Sequence, residues 1–218
     1  MRHEIRDFAD DDSLARAAAD YVADVARRCV DERGRFGFAV SGGRTPWAMV
    51  AALSEREMPW TRTTIYQVDE RVVSDTDPAR NLTRLAESLA GVPAVVEPMD
   101  VDNEDLDAAA ERYAQLLPAR LDLVHLGLGA DGHTASLVPD DPVLDVSDRL
   151  VALTGVYEGH RRMTLTYPAL AAAAQLLWLI AGADKRHALA GLLAGDTASP
   201  AGRVVSSRSL IMAERSAL

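Results

Sequence analysis

A single cysteine, Cys29, stands in 218 residues, so no internal disulfide holds this fold together. It sits in a helical pattern and reads as a small buried residue rather than a nucleophile. No Cys/His grouping has zinc-ligand spacing, so no metal is expected. No apolar run approaches the ~20 residues of a membrane span. Positive charge is in deficit: 23 Lys and Arg face 33 Asp and Glu, a net charge of -10. That balance argues against nucleic acid or an anionic membrane as partner. The opening run Met-Arg-His-Glu-Ile-Arg-Asp-Phe is too charged for a signal peptide, and a cytoplasmic location is expected.

What is present suits one globular domain over 1–218, with 48% apolar and 26% charged residues. The chain reads as alternating helices and strands. Helical stretches are expected over Ser13–Val30, with Asp12 or Ser13 as N-cap, and over Thr45–Glu55, Asn81–Leu89, Glu104–Leu117, Pro168–Ala174 and Lys185–Leu193. Strands are expected at Phe36–Val40, Thr63–Val68, Ala94–Glu97, Leu121–Leu128, Asp148–Leu153, Arg162–Thr166 and Leu176–Ala181, with weak ones near Arg203–Val205 and Ser209–Met212. Such alternation predicts a three-layer αβα fold, a mostly parallel Rossmann-like sheet with helices on both faces. Ligands of such folds sit beyond the carboxyl ends of the strands.

The segments that follow strands carry the candidate chemistry. Ser41-Gly42-Gly43-Arg44-Thr45-Pro46 leads into a helix N-terminus, where free N–H groups and the dipole favour an anion. Asp69-Glu70-Arg71 ends the next strand, and Asn81 opens the helix after it. Arg162 and Lys185 follow later, and with Arg44 they form the local positive set that an acidic chain needs for an anionic ligand.

Leu126 to Pro139 is the richest stretch. Gly127, Gly129 and Gly132 spell G-x-G-x-x-G, the dinucleotide fingerprint, but Pro139 and Pro142 curtail the helix that the fingerprint requires. The same turn presents His133, with Asp131 placed to orient and support its imidazole. His125, within the apolar strand, reads as a core residue, and His3, His160 and His187 as surface. Lacking a metal site, a Gly-x-Ser-x-Gly elbow or an exposed thiol, the chain is left with acid–base chemistry. Its histidine can deprotonate water for attack on an activated carbonyl or shuttle protons in a sugar isomerisation.

Together these segments resemble the 6-phosphogluconolactonase family, within the larger group that includes glucosamine-6-phosphate deaminase. Ser41–Pro46 matches its Ser-Gly-Gly-x-Thr-Pro loop, and Asp69–Val73 with Asn81 matches Asp-Glu-Arg-x-Val and a downstream Asn. Leu126–Leu137, Arg162–Thr166 and Ala181–Lys185 match Leu-Gly-x-Gly-x-Asp-Gly-His-Thr-Ala-Ser-Leu, Arg-x-Thr-Leu-Thr and Ala-Gly-x-x-Lys. The resemblance implies hydrolysis of 6-phospho-D-glucono-1,5-lactone without cofactor or metal, by a monomer or small homo-oligomer whose partner is that small phosphosugar lactone. It implies His133 as the base, Asp131 as its support and Arg71 at the lactone end. Ser41, Gly42, Gly43, Arg44, Thr45, Asp69, Asn81, Arg162 and Lys185 would bind substrate, with the phosphate held mainly by the glycine loop, Arg162 and Lys185.

Two departures from the pattern stand out. Val156-Tyr157-Glu158-Gly159-His160 replaces the Ser-Pro-Lys-Pro-Pro of many members, with Glu158 in place of a lysine expected near the substrate. The usual Trp-x-x-Asp ending is reduced to Ile211-Met-Ala-Glu214. The deaminase alternative would carry a glutamate where Val138 stands and Asp-Glu-Tyr where this chain has Arg71. A sensor that keeps the anion loop without turnover is the non-enzymatic alternative.

Overall fold

The computed structural model describes residues 3–218; Met1 and Arg2, the start of the charged N-terminal run, lie outside them. Near-continuous apolar runs form the centre. Every residue of β6 (Leu123–Leu126) and β9 (Leu176–Ile180) is buried, as strands covered on both faces must be. β2 (Phe36–Val40) lies on one side of this pair and β10 (Ser209–Glu214) on the other. β3 (Thr63–Gln67) and β5 (Val95–Glu97) extend the sheet past β2, and β1 (Glu4–Phe8) ends it past β10. The order is β1-β10-β9-β6-β2-β3-β5, parallel throughout. A smaller antiparallel sheet runs β4 (Asp69–Arg71), β8 (Arg162–Leu165), β7 (Val151–Leu153).

The large sheet reverses its winding at β2. From there the chain steps outward to β3 and β5, then returns to the opposite flank of β2 as β6. The loops after β2 and β6 therefore part at a topological switch point, where open α/β sheets leave a crevice.

Amphipathic helices cover both faces. On one, α1 (Asp11–Arg33), α2 (Arg44–Ser54) and α3 (Asn81–Ser88) pack Leu14, Val22, Met49 and Leu85 against Phe36 and Phe38. On the other, α4 (Leu106–Leu116), α5 (Tyr167–Ala172), α6 (Arg186–Ala194) and the small sheet bring Tyr113, Leu170, Leu189 and Met163 onto Val124 and Trp178.

Four features differ from the expectations. The N-cap of α1 is Asp10, not Asp12 or Ser13: its carboxylate accepts the Ser13 N–H at 2.7 Å while its own N–H donates to Ser13 Oγ at 3.3 Å. Asp11 and Asp12 then occupy the first turn, where the dipole favours acids. The weak strand near Arg203–Val205 is absent; Ala201–Arg203 is a 3-10 turn. Lys185 closes another such turn, Ala183–Lys185, and α6 begins one residue later. β1 and β4 form where no strand was expected. β1 is an edge strand with most residues exposed, so it lacks an apolar alternation. β4 consists of three charged residues, which imitate a loop.

Replacing the α1 cap, Asp10→Ala, is expected to cost about 1 kcal/mol and lower the melting temperature by roughly 2–4 °C. Asp12→Ala, which removes no cap, serves as the control. Equal melting temperatures for wild type and Asp10→Ala would contradict this capping assignment.

Candidate active site

The turn after β6 closes on itself. Gly129 N–H donates to the His133 carbonyl at 2.8 Å, and Gly132 N–H to the Gly129 carbonyl at 3.0 Å. Thr134 Oγ1 donates to the Gly127 carbonyl at 2.8 Å, and Thr134 pairs with Leu137 as an isolated bridge. These backbone donors, which a dinucleotide cradle would aim at a pyrophosphate, are spent internally, and no helix follows Gly132. The compact turn brings the imidazole and carboxylate back against Gly129, where a Cβ would overlap His133 and Asp131. Only glycine fits there.

The turn fixes an imidazole–carboxylate pair. His133 Nδ1 stands 2.6 Å from Asp131 Oδ1, which also accepts the His133 backbone N–H at 3.1 Å. Asp131 Oδ2 accepts the Tyr157 hydroxyl proton at 2.9 Å. Burial pushes the Asp131 carboxyl up, but the His133 N–H, the imidazole and the Tyr157 hydroxyl outweigh it, leaving it below its ordinary value. An ionised carboxylate only accepts, so Nδ1 carries the proton of the neutral imidazole and Nε2 keeps its lone pair.

The small sheet builds the second part of the site. Side chains alternate along a strand, so in β4 Asp69 and Arg71 share one face while Glu70 points to the other. Opposite them in register stand Thr164 and Arg162, placing Arg71 and Arg162 side by side across the strand pair. Like charges in that arrangement repel. Arg162 is only 4% exposed; among the described residues its Nε has no hydrogen-bond partner, and its Nη2 has long contacts to the Tyr157 carbonyl at 3.4 Å and Glu158 Oε2 at 3.5 Å. A buried, poorly matched guanidinium beside a second one creates a strong local demand for an anion.

Glu70 supports this arrangement from behind. Fully buried, it accepts the backbone N–H groups of Arg71, Asn81 and Leu82, each at 2.8 Å, and the Gln67 amide at 2.7 Å. It thereby satisfies the first turn of α3, whose N-cap, Arg80, contributes no side-chain bond. Asn81 is held in turn: its amide donates to the Asp69 carbonyl at 3.1 Å and its Oδ1 accepts from Arg71 Nη1 at 2.7 Å. The same amide lies so close to Gly42 that a Cβ there would overlap it. Asp69 Oδ2 accepts from Ser136 Oγ at 2.7 Å, tying β4 to the turn after β6.

The loop after β2 supplies the third part. Ser41 N–H donates to His125 Nδ1 at 3.3 Å and Ser41 Oγ to the His125 carbonyl at 3.2 Å, which ties the loop to β6. Complete burial pushes His125 down to about 3, so it is a neutral core residue, as its sequence context suggested. His3, expected at the surface, is partly buried and lies 2.8 Å from Ser209 Oγ. α2 starts at Arg44 with no side-chain cap, which leaves its first N–H groups for a ligand. Arg44 itself is turned outward, 81% exposed at its side chain and paired with Asp11 at 3.0 Å. Lys185, the only lysine in the chain, is mostly buried and pairs with Asp184 at 3.1 Å.

One cleft of about 290 Å³ collects these parts. It is lined by every candidate substrate-binding residue together with His133 and Arg71, while Asp131 lies behind His133. Glu158 also lines it, as do Gly127, Leu128 and Ala135. Tyr157, Ser136 and the capping role of Glu70 lie outside the candidate set that the motifs mark. Nothing local in the sequence signals them, because each acts across elements distant in the chain. Among the described residues no group of three or more His, Cys, Asp or Glu could hold a metal, and no helix is long and apolar enough to cross a membrane.

The switch-point crevice thus joins a carboxylate-paired histidine to a pocket lined by two adjacent arginines. A model of the glucosamine-6-phosphate isomerases/6-phosphogluconolactonase family matches residues 9–212. The chain is 32% identical over 208 residues to a 6-phosphogluconolactonase from Nostoc, covering 89% of this chain and 86% of that protein. It is 37% identical over 182 residues to one from Synechocystis, covering 77% and 75%. The solved 6-phosphogluconolactonase of Thermotoga maritima superposes with a TM-score of 0.88 at 26% identity, covering 98% of this chain and 100% of that one. A monomeric glucosamine-6-phosphate deaminase shares the fold, with a TM-score of 0.87 at 19% identity. This chain belongs to the glucosamine-6-phosphate isomerase/6-phosphogluconolactonase family.

Because Glu70 answers four donors from full burial, Glu70→Ala is expected to destabilise the fold by about 3 kcal/mol. In urea unfolding the midpoint should fall clearly, and Glu70→Gln should recover part of the loss. A loss below about 0.5 kcal/mol, the range of ordinary surface substitutions, would remove Glu70 from this role.

Proposed function

We propose that this chain hydrolyses 6-phospho-D-glucono-1,5-lactone to 6-phospho-D-gluconate, the second step of the oxidative pentose phosphate pathway, in the cytoplasm. The observation that carries the reading is the pair of adjacent guanidiniums, Arg71 and buried Arg162, opening onto the cleft that His133 also lines. The 6-phosphogluconolactonases it resembles over most of their length supply the substrate class.

In this reading the phosphate lies against the uncapped start of α2, Arg162 and Lys185. The 5,6-portion of the sugar then spans the cleft toward His133. Neutral His133, its Nδ1 proton held by Asp131, takes a proton from water at Nε2 as the water oxygen bonds to the lactone carbonyl carbon. The carbonyl becomes a tetrahedral oxyanion, which Arg71 stabilises from its anchorage on Asn81 and the Ala79 carbonyl. Collapse breaks the ring C–O bond, and the imidazolium returns its proton to the departing ring oxygen. One water is consumed and one carboxylic acid is formed. A δ-lactone is a reactive ester, so one oriented base and good positioning suffice.

The deaminase reading is weaker on chemical grounds. Val138, where that enzyme keeps its glutamate, is buried and, as a valine, cannot carry protons. The test follows acid release from freshly generated lactone. Wild type should exceed spontaneous hydrolysis by a wide margin, and His133→Ala should lose about 10²–10⁴-fold in kcat. Wild-type rates no faster than spontaneous would leave a non-catalytic sensor, and ammonia release from glucosamine 6-phosphate would instead favour the deaminase.

A further inference from the structure

We propose that Tyr157 is a positioning residue of this site, joining the Asp131–His133 pair to the Arg162 anion site through its hydroxyl and its ring. The proposal rests on the lactonase reading for its kinetic arm and on geometry alone for its other arms.

Tyr157 sits in the stretch where this chain departs from the family pattern, Val156 to His160. It precedes a two-residue hairpin turn. Tyr157 and His160 pair through N–H to carbonyl bonds of 3.0 and 3.2 Å, and Glu158 and Gly159 between them have φ of 50° and 83°. Two left-handed residues in succession define the tight turn that matches strand twist, and glycine suits the second of them. The turn caps the β7–β8 hairpin, so Tyr157 is held by backbone bonds a few residues from Arg162.

The side chain faces two ways. Its hydroxyl donates to Asp131 Oδ2 at 2.9 Å and lies 3.3 Å from His133 Nδ1. Its ring meets the imidazole edge-on at 5.3 Å between centroids. The guanidinium of Arg162 lies 5.1 Å from the ring centroid, and Arg162 Nη2 reaches the Tyr157 carbonyl. Asp131 has two oxygens: Oδ1 serves His133, and without a donor on Oδ2 the carboxylate could rotate about its bond to Cβ. Tyr157 occupies that second oxygen and so fixes the plane in which Asp131 meets the imidazole. The hydroxyl remains a donor throughout any working pH, since desolvation and the Asp131 charge push its ionisation up to about 12. The ring, for its part, supplies the face over which the under-bonded Arg162 is held. Tyr157 does not line the cleft itself, so its influence passes through these partners.

The two functions separate by substitution. Tyr157→Phe removes the hydroxyl and keeps the ring. It should lower kcat about tenfold, the worth of one hydrogen bond to a charged group, while KM stays within about twofold. Tyr157→Ala removes both, and should in addition raise KM and weaken inorganic phosphate binding, measured calorimetrically, by about fivefold. The downfield proton NMR signal of the His133–Asp131 bond, recorded without substrate, should move in Tyr157→Phe. A purely structural tyrosine would leave that signal in place and change KM and kcat together. An unmoved signal with wild-type kcat in Tyr157→Phe overturns the proposal. If wild type fails to hydrolyse the lactone, the function is wrong, yet the NMR shift and the phosphate affinities still decide the role of Tyr157.

Discussion

The site depends first on one buried carboxylate. Glu70, with no exposed surface, gathers donors from its own strand, from β3 and from the first turn of α3. A buried charge is tolerable only with such complete hydrogen bonding. Its consequence is geometric: with Glu70 committed to α3, strand alternation turns Asp69 and Arg71 toward the cleft. Asn81 is thereby delivered to the loop after β2, where Gly42 leaves room for it. Glu70 thus holds β4 to the start of α3, while Ser136 on Asp69 and Ser41 on His125 tie the loops after β6 and β2 to the same place.

The second dependence is electrostatic and runs against the chain's overall charge. An acidic surface repels a phosphosugar, so attraction must be local and shielded. On the proposed function, Arg162 in β8, opposite Arg71, provides this attraction at a cost in repulsion that a bound phosphate would offset. The His133–Asp131 pair follows a different logic. His133 is oriented by Asp131, which is kept ionised by donors from its own turn and from Tyr157. On the proposed function, one small cleft would thus hold anion attraction and proton transfer on separate residues.

Much of the architecture was legible from the chain. β2 follows its apolar run residue for residue, and β9 and α2 lie within one residue of their expected ends, because burial and helix-start signals are local. The glycine turn with His133 was equally plain. What escaped has a common cause. β1 and β4 carry charged side chains on strands, so their hydrogen bonding to neighbours, and not their pattern, makes them strands. The α1 cap is Asp10 rather than the expected Asp12 or Ser13, because Ser13 stands at the third helical position and bonds back to Asp10. Arg44 follows the anion-loop pattern yet swings to Asp11, a partner from another helix. Tyr157 belongs to a segment with no recognisable motif, and only the fold brings it to Asp131, distant in sequence.

In the proposed function, the arginine-lined pocket and the oriented histidine act on one molecule. The direct test compares kcat/KM for 6-phospho-D-glucono-1,5-lactone with that for D-glucono-1,5-lactone, which has the same reacting ester and no phosphate. A preference of at least about 10³-fold for the phosphorylated lactone is expected, since several charge-assisted bonds are lost together without the phosphate. Comparable values for the two lactones would contradict it.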